Sequence, residues 1–315
     1  MFYIIVIVLF FAVMPLYFRI AERYHIVDRP NQRSSHTQLT IRGGGIIFLF
    51  AALIAWIRLP ELWLPLLGLF IIGIISFLDD RITLSNKVRI FFHLVAVSLL
   101  FYHFSLFTIF PLYGLILIYI IVIGVINAYN FMDGINGITG AYSLVVLGGL
   151  QYVNLQQNAF IDAGMIWLPI MACLVFLFFN FRKKARCFAG DVGSVSIAFW
   201  IIMLLMQLIL LTHNWVYILF LAVYGVDSIF TIIHRLLLKQ NIFEAHNLHF
   251  YQLLVNERNM PHLFISSLYA FFQLLIIIFI IKNTDRLWLN ILVCCLPLVF
   301  IYLIFKPRLM KFKRL

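Results

Sequence analysis

Charge is scarce in this 315-residue chain: 11% of its residues are Asp, Glu, Lys or Arg, and twelve are acidic. With a mean hydropathy of +1.05, that scarcity excludes an ordinary soluble domain. Cysteine is also sparse. Cys173, Cys187, Cys294 and Cys295 have no metal-ligand spacing, and three of them sit in or beside hydrocarbon, which argues against zinc sites and disulfides. Low-complexity tracts and clear internal repeats are missing, and no polar stretch could build a separate soluble domain. The expectation is one membrane domain over residues 1–315. The N-terminal apolar run lacks a basic residue before it and an A-x-A site after it, and Arg19 follows it, so it does not read as a signal peptide.

What the chain has in abundance is apolar sequence, 64% of the total. Runs near the 17–25 residues that cross a bilayer recur at about 2–18, 43–58, 62–78, 88–106, 112–130, 134–152, 162–180, 193–211, 215–236, 262–281 and 287–305. That is an all-α, polytopic membrane protein with about eleven transmembrane helices. Several runs are short or Gly-interrupted, so ten is the other count. With eleven spans, one face collects Arg19, Arg23, Arg29, Arg33, Arg42, Arg81, Lys87 and Arg89. It also holds Arg182, Lys183, Lys184, Arg186, Arg235, Lys239, Arg258 and the tail from Lys306 to Arg314, together twenty of the 23 Lys and Arg. The other face has Arg58, Lys282 and Arg286. The positive-inside rule then puts the N-terminus outside and the C-terminus in the cytoplasm. The net charge of +11 is spread over short membrane-flanking loops. It reads as contact with anionic lipid, not nucleic acid.

The few acids are unevenly placed. Asp79-Asp80, Asp133 and Asp191 close or open apolar runs on the basic face, in FLDDR, NAYNFMDGINGITG and FAGDVGS. A carboxylate against hydrocarbon costs about 2.5–3.5 kcal/mol at a helix centre, so four gathered on one face suggest a common task. Holding a cation against phosphate is the natural one. Adjacent helical residues point about 100° apart, so one member of the Asp79-Asp80 pair can face a ligand while Arg81 or a backbone group holds the other. The pair also reads as an interfacial cap bound to Arg81. In the second segment Asn127, Asn130, Asp133 and Asn136 recur every third residue, as do Gly134, Gly137 and Gly140. Amides, a carboxylate and open backbone N–H groups ahead of a helix suit an anion, although a helix break with close packing uses similar residues. Asp191 lies between Gly190 and Gly193 as a hard oxygen ligand suited to Mg²⁺, with Ser194 able to cap the eighth span.

Three further stretches are polar. Asn180 and Phe188 could bond and stack on a base, or be ordinary interface residues. His246 and His249 are three apart and could donate to phosphate, or lie on a solvated interfacial helix; two histidines alone make a poor zinc site. The first loop places Arg29, Arg33, Ser34, Ser35, His36 and Arg42 ahead of three glycines, and serves phosphate or topology alone. Asp227, inside the ninth span, is expected to pair with His234 or Arg235 one to two turns on.

These segments, in this order, resemble the polyprenyl-phosphate N-acetylhexosamine-1-phosphate transferases, glycosyltransferase family 4. The resemblance covers most of the chain, from RSSH…RGGG through DD, NFMDGINGITG and GDVGS to the His-bearing loop. It implies transfer of a sugar 1-phosphate from a UDP-N-acetylhexosamine to undecaprenyl phosphate, with release of UMP and a requirement for Mg²⁺, for which Mn²⁺ can substitute. Carried over motif by motif, it makes Asp79, Asp80, Asp133 and Asp191 catalytic. Asp79 would engage or deprotonate the acceptor phosphate, and Asp191, supported by Asp80, would hold the metal. Asp133, Asn130 and Asn136 would organise the donor. Asn180 and Phe188 would meet uracil, with Gly190 beside them. His246 and His249 would contact the pyrophosphate, and Lys87 and Arg42 would neutralise phosphate charge. The chain departs from DGIDG patterns at Asn136, and HNLHFYQ lacks the triple-His run of the peptidoglycan branch. The first departure bears on the role of Asn136; the second favours the O-antigen and capsule initiating branch, with GlcNAc or a deoxy derivative as the sugar. The implied setting is a bacterial cytoplasmic (inner) membrane with the site on the cytoplasmic face. Undecaprenyl phosphate, the UDP-sugar and membrane lipids are the implied partners, and a homodimer is compatible with it.

The alternative class is a cation-coupled transporter or lipid flippase. Its acids would sit near the bilayer midplane in broken helices, where only Asp227 qualifies. A CDP-alcohol phosphotransferase needs a DGxxAR run that DGINGITG does not supply.

Overall fold

The computed structural model describes residues 1–28, 39–241 and 246–312. Among them are thirteen α-helices: α1 (Phe2–Arg23), α2 (Ile47–Arg58), α3 (Trp63–Ile82), α4 (Asn86–His103), α5 (Leu106–Ile109), α6 (Leu112–Met132), α7 (Ile138–Gln156), α8 (Gly164–Asn180), α9 (Gly190–Thr212), α10 (Ala222–Leu237), α11 (Phe250–Arg258), α12 (His262–Lys282) and α13 (Leu287–Phe312). Each of the eleven apolar runs folds as helix. Eight helices, counted with the 3₁₀ turns that lead into α3 and α10, are long and apolar enough to cross a membrane. Two more, Gly44–Arg58 and Gly164–Asn180, are apolar but shorter. The eleventh, α4, is opened by Asn86, Lys87 and Arg89, which lowers its apolar character. Proline marks several starts where a missing N–H costs nothing: Pro60 opens the turn before α3, and Pro111 and Pro261 precede α6 and α12.

The helices differ in which faces they bury. α9 is enclosed on every side through its first four turns, and α3, α6, α7 and α2 all pack against it. α13 leaves most of its apolar surface outward, as do α6 and α1. Leu112, Tyr113 and Trp288 are among the large apolar side chains left exposed. In water such a surface would be a large unpartnered patch; in lipid it is at rest. The chain is a membrane-embedded helical protein. Where lipid supplies no hydrophobic drive between helices, close backbone contact does the work. Gly45 meets Gly193 so tightly that a Cβ on Gly45 would lie 2.0 Å from the Gly193 Cα.

The one element outside the helical pattern is small. Strands β1 (Val27–Asp28) and β2 (Thr40–Ile41) pair antiparallel, with Val27 opposite Ile41. Ile41 also bridges to Cys187. The segment zips onward: Phe188 N–H donates to Ile41 C=O (2.8 Å), Gly44 N–H to Phe188 C=O (2.7 Å) and Gly45 N–H to Ala189 C=O (3.0 Å). The start of α2 is thereby stitched to the start of α9, two segments about 145 residues apart in sequence.

Candidate active site

The motif segments meet at one end of the bundle, where α1, α3, α6, α8 and α10 finish and α2, α4, α7 and α9 begin. At its centre the charges alternate. Asp79 Oδ2 lies 3.2 Å from Arg89 Nη1, and Arg89 Nη2 lies 3.9 Å from Asp191 Oδ2. Asp191 Oδ1 lies 3.4 Å from Arg42 Nη2, and Arg42 Nε lies 2.7 Å from Asp80 Oδ1. Three carboxylates and two guanidinium groups thus form a chain with one negative charge in excess. The arginines come from opposite sides: the β2–α2 zip delivers Arg42, and the first turn of α4 delivers Arg89. Burial acts to lower the Arg42 pKa, and Asp80 and Asp191 more than offset it, so the guanidinium is held charged above its usual value.

The three acids have different tasks. The Asp80 side chain has no exposed surface. It accepts from the backbone N–H groups of Asp191 (2.9 Å) and Val192 (3.2 Å), so it caps α9 from another helix. An anion at a helix N-terminus answers both the orphan donors and the helix dipole. Ser194, read from sequence as the cap, bonds back to Gly190 C=O at 3.2 Å instead. Asp79 is 7% exposed and closes the turn after α3 by accepting from Leu84 N–H at 2.5 Å. The sequence pointed to Arg81 as the partner of this pair, but Arg81 is exposed and Arg42 and Arg89 take the places. Asp191 is the open member, with a 19% exposed side chain and only long contacts to its arginines. Its freedom also bears on metal binding. Among the described residues no three His, Cys, Asp or Glu form a closed metal cage. One open carboxylate suits Mg²⁺, which binds through one or two carboxylates and fills its shell with water and substrate phosphate. Asp80, expected to be the second ligand, has three donors on its two oxygens and no accessible face.

The donor-side segment is tied in by its amides. Asn180 accepts from Gly137 N–H (2.6 Å) and donates to Cys187 C=O (2.8 Å), so both ends of its buried amide are used between loops. Asn136 is buried as well. It donates to the carbonyls of Arg182 (2.8 Å) and Lys183 (3.4 Å), and its own carbonyl accepts from Ser266 Oγ at 2.7 Å. Both residues are loop ties here, whereas the sequence read them as substrate contacts. Asn130 presents its amide to Asp191, and Asp133 lies within electrostatic reach of Asp191 and Arg42. Burial pushes the Asp133 carboxyl up to about 7, with the nearby Thr139 hydroxyl opposing. Phe188 and Lys87 stand at the rim, Phe188 half-buried and Lys87 exposed.

The His-bearing segment packs on the same loop. Tyr251 Oη donates to Phe131 C=O at 2.9 Å, and the rings of His246 and His249 lie 6.2 and 6.0 Å from Phe131. His246 is pushed down to about 3, chiefly by burial and then by the neighbouring His249, Arg235 and Lys306. It is therefore a neutral imidazole. Asp227 does not pair with His234 or Arg235. Its Oδ1 faces His249 Nδ1 at 3.4 Å, across the start of α11. From the first loop only Arg42 is placed, because Arg29, Arg33, Ser34, Ser35 and His36 lie outside the described residues. Sequence reasoning missed Arg89 and Tyr17, whose hydroxyl donates to Arg42 C=O at 2.6 Å. The signal for Arg89 was its place two residues after Lys87, in the first turn following the acidic pair.

Gly190 joins these parts. Its φ is +70°, and a Cβ there would lie 2.5 Å from Asp80 Oδ2 and 2.9 Å from Gly43 N. Gly190→Ala is expected to cost more than the roughly 1–2 kcal/mol of a left-handed backbone, because it also displaces the cap. Thermal unfolding in detergent should show a lower midpoint, while Gly225→Ala, which meets no atom within 4 Å, stays near wild type.

Two comparisons with known proteins found matches. Residues 62–209 match the sequence model of glycosyl transferase family 4. That span holds Asp79, Asp80, Asp133, Asn180 and Asp191. The chain is also similar to a probable undecaprenyl-phosphate N-acetylglucosaminyl 1-phosphate transferase of Bacillus subtilis (strain 168). The two are 26% identical over 334 residues, covering 96% of this chain and 93% of that protein.

Proposed function

We propose that the chain is a family 4 glycosyl transferase that transfers an N-acetylhexosamine 1-phosphate from its UDP-sugar to undecaprenyl phosphate, releasing UMP and starting a lipid-linked cell-surface glycan, a reading that the match over residues 62–209 and the similar Bacillus protein support. The observation that carries this reading is the alternating chain Asp79–Arg89–Asp191–Arg42–Asp80 at one end of a lipid-facing bundle. In the reaction an oxygen of the lipid phosphate attacks the phosphorus that bears the sugar. A new phosphoanhydride forms between lipid phosphate and sugar phosphate, the old one breaks, and the electron pair leaves on UMP. Two anions must meet, and little covalent chemistry is asked of the protein.

The residues divide that work. Arg42 and Arg89 are about one-third exposed and offer N–H groups to phosphate oxygens from two sides. Asp80 fixes Arg42 and the start of α9, and Asp79 fixes Arg89. Asp191 would hold Mg²⁺, which when bound screens the phosphates and stabilises developing charge. Asp133 and Asn130 face the same space from the donor side, and His249 would donate to the pyrophosphate. The excess of basic residues around this end supports a cytoplasmic placement in the inner membrane, within a single domain that spans the chain. GlcNAc or a deoxy derivative is the proposed sugar, and the similar Bacillus protein, whose name specifies N-acetylglucosaminyl, supports the former.

The test is UMP release by purified protein in detergent, supplied with undecaprenyl phosphate, Mg²⁺ and a panel of UDP-N-acetylhexosamines. Release that requires lipid, metal and one particular sugar is expected. No release with any donor, beside a working positive control, would defeat the reading.

A further inference from the structure

The inward stripe of α1 is apolar except at one place. Val6, Phe10, Met14, Phe18 and Ala21 are buried along it, and among them Tyr17 brings in a hydroxyl. Tyr17 is 5% exposed, so that hydroxyl needs a partner inside the protein. It finds one 25 residues on, donating to Arg42 C=O at 2.6 Å. The reaction as described gives this contact no part.

Arg42 stands where the strand zip turns. β2 ends at Ile41, and the zip resumes at Gly44, whose N–H donates to Phe188 C=O. Between them Gly43 takes a left-handed φ of +77°, and the Arg42 carbonyl takes its bond from α1 instead of from the ladder. A Cβ on Gly43 would lie 2.5 Å from Tyr17 Oη, so the hydroxyl fills the notch that the glycine leaves. Arg42 N–H is held from the same side, donating at 3.1 Å to Ile26 C=O just past α1. Ile26 is itself tied back, its N–H donating to Ala21 C=O at 2.8 Å. Both main-chain groups of Arg42 thus depend on α1 and its exit. From that backbone the guanidinium spans Asp80 at 2.7 Å and Asp191 at 3.4 Å, with about one-third of the side chain open. A planar fork meets phosphate oxygens squarely in few orientations, so where the side chain starts matters as well as what holds its end.

We propose that Tyr17 is a positioning residue for Arg42, its hydroxyl setting the Arg42–Gly43 turn and so the angle at which the guanidinium meets the phosphates of the substrate. The inference rests on the transferase reading above, and it makes the lipid-facing helix α1 part of the working site. A purely structural bond would hold α1 against the zip, and its loss would lower stability without changing the rate of the folded enzyme.

The experiment is steady-state UMP release by the full chain carrying Tyr17→Phe, alone and together with Arg42→Ala, beside thermal unfolding of each preparation. Tyr17→Phe keeps the ring and its packing and removes the hydroxyl alone. It is expected to lower kcat by about 5–20-fold, short of the hundredfold that a displacement of roughly 1 Å can cost. KM for either substrate should stay within about twofold, because the phosphates are pressed together only as the new bond forms. In the Arg42→Ala background the same change should cost about twofold or less, since residues that act through one another are not additive. Arg42→Lys replaces Arg42→Ala where the alanine rate is too low to read, with the same outcome expected, because an ammonium on a flexible stem has no planar fork to aim. Wild-type kcat in folded Tyr17→Phe, whatever its thermal midpoint, would overturn the inference while leaving the reaction standing. So would an equal loss with and without the guanidinium. An inactive wild type would overturn the transferase reading and this inference with it.

Discussion

Asp191→Asn is expected to abolish Mg²⁺-dependent UMP release, by about a hundredfold or more, in a protein that still folds and inserts. The expectation follows from how little structure depends on this carboxylate. Its contacts to Arg42 and Arg89 are long, at 3.4 and 3.9 Å, and each arginine keeps a closer partner in Asp80 or Asp79. The start of α9 is capped through the backbone N–H of residue 191, which the substitution leaves in place. Asparagine also matches aspartate in size. What disappears is the one open negative charge of the cluster, and a neutral amide is a weak ligand for a hard divalent cation. The check is UMP release across a Mg²⁺ titration beside thermal unfolding of the same preparation. Turnover near wild type at saturating Mg²⁺ would remove Asp191 from the metal-holding role.

That these acids gather at one end of the bundle was legible in the sequence, but which groups each of them holds was not. Apolar runs interrupted by Gly, Asn and Asp are local signals, and they located eleven of the thirteen helices and the three acid-bearing segments; the short α5 and the polar α11 fell outside them. The partners of those residues are long-range. Asp80 caps a helix that begins 110 residues later, and no local pattern marks an acceptor for N–H groups so distant. Proximity suggested Arg81 for the acidic pair, yet helical geometry turns residue 81 outward. Arg42 and Arg89 arrive through the strand zip and the turn after α3. Asn136 and Asn180 illustrate the same limit. An amide able to bind a substrate can equally hold a loop, and no local pattern marks the partners that these two find at residues 137, 182 and 187. Asp227 was expected to find a base on its own helix, whereas that helix supplies it with Thr231 and its other donors come from α11 and α12. The short β1–β2 pair was invisible because two-residue strands carry no periodicity.

The contrast within the acidic pair yields the other large effect. Asp80→Ala is expected to lose stability and activity together, unlike Asp191→Asn. The Asp80 side chain is wholly enclosed, so its removal leaves two N–H groups at the start of α9 without an acceptor and Arg42 without its 2.7 Å partner. Loss of an anionic cap and a buried charge partner together costs about 2–4 kcal/mol, moderated because Arg42 keeps partial access to water. Fraying of the first turn of α9 would also move Asp191, so UMP release should fall although the metal-holding carboxylate is intact. The thermal midpoint in detergent separates the two tasks: lowered in Asp80→Ala, near wild type in Asp191→Asn. If Asp80→Ala instead unfolds with the wild type yet turns over no substrate, Asp80 is a ligand and not a cap. The two-carboxylate metal set of Asp191 and Asp80 that the motifs suggested would then be restored.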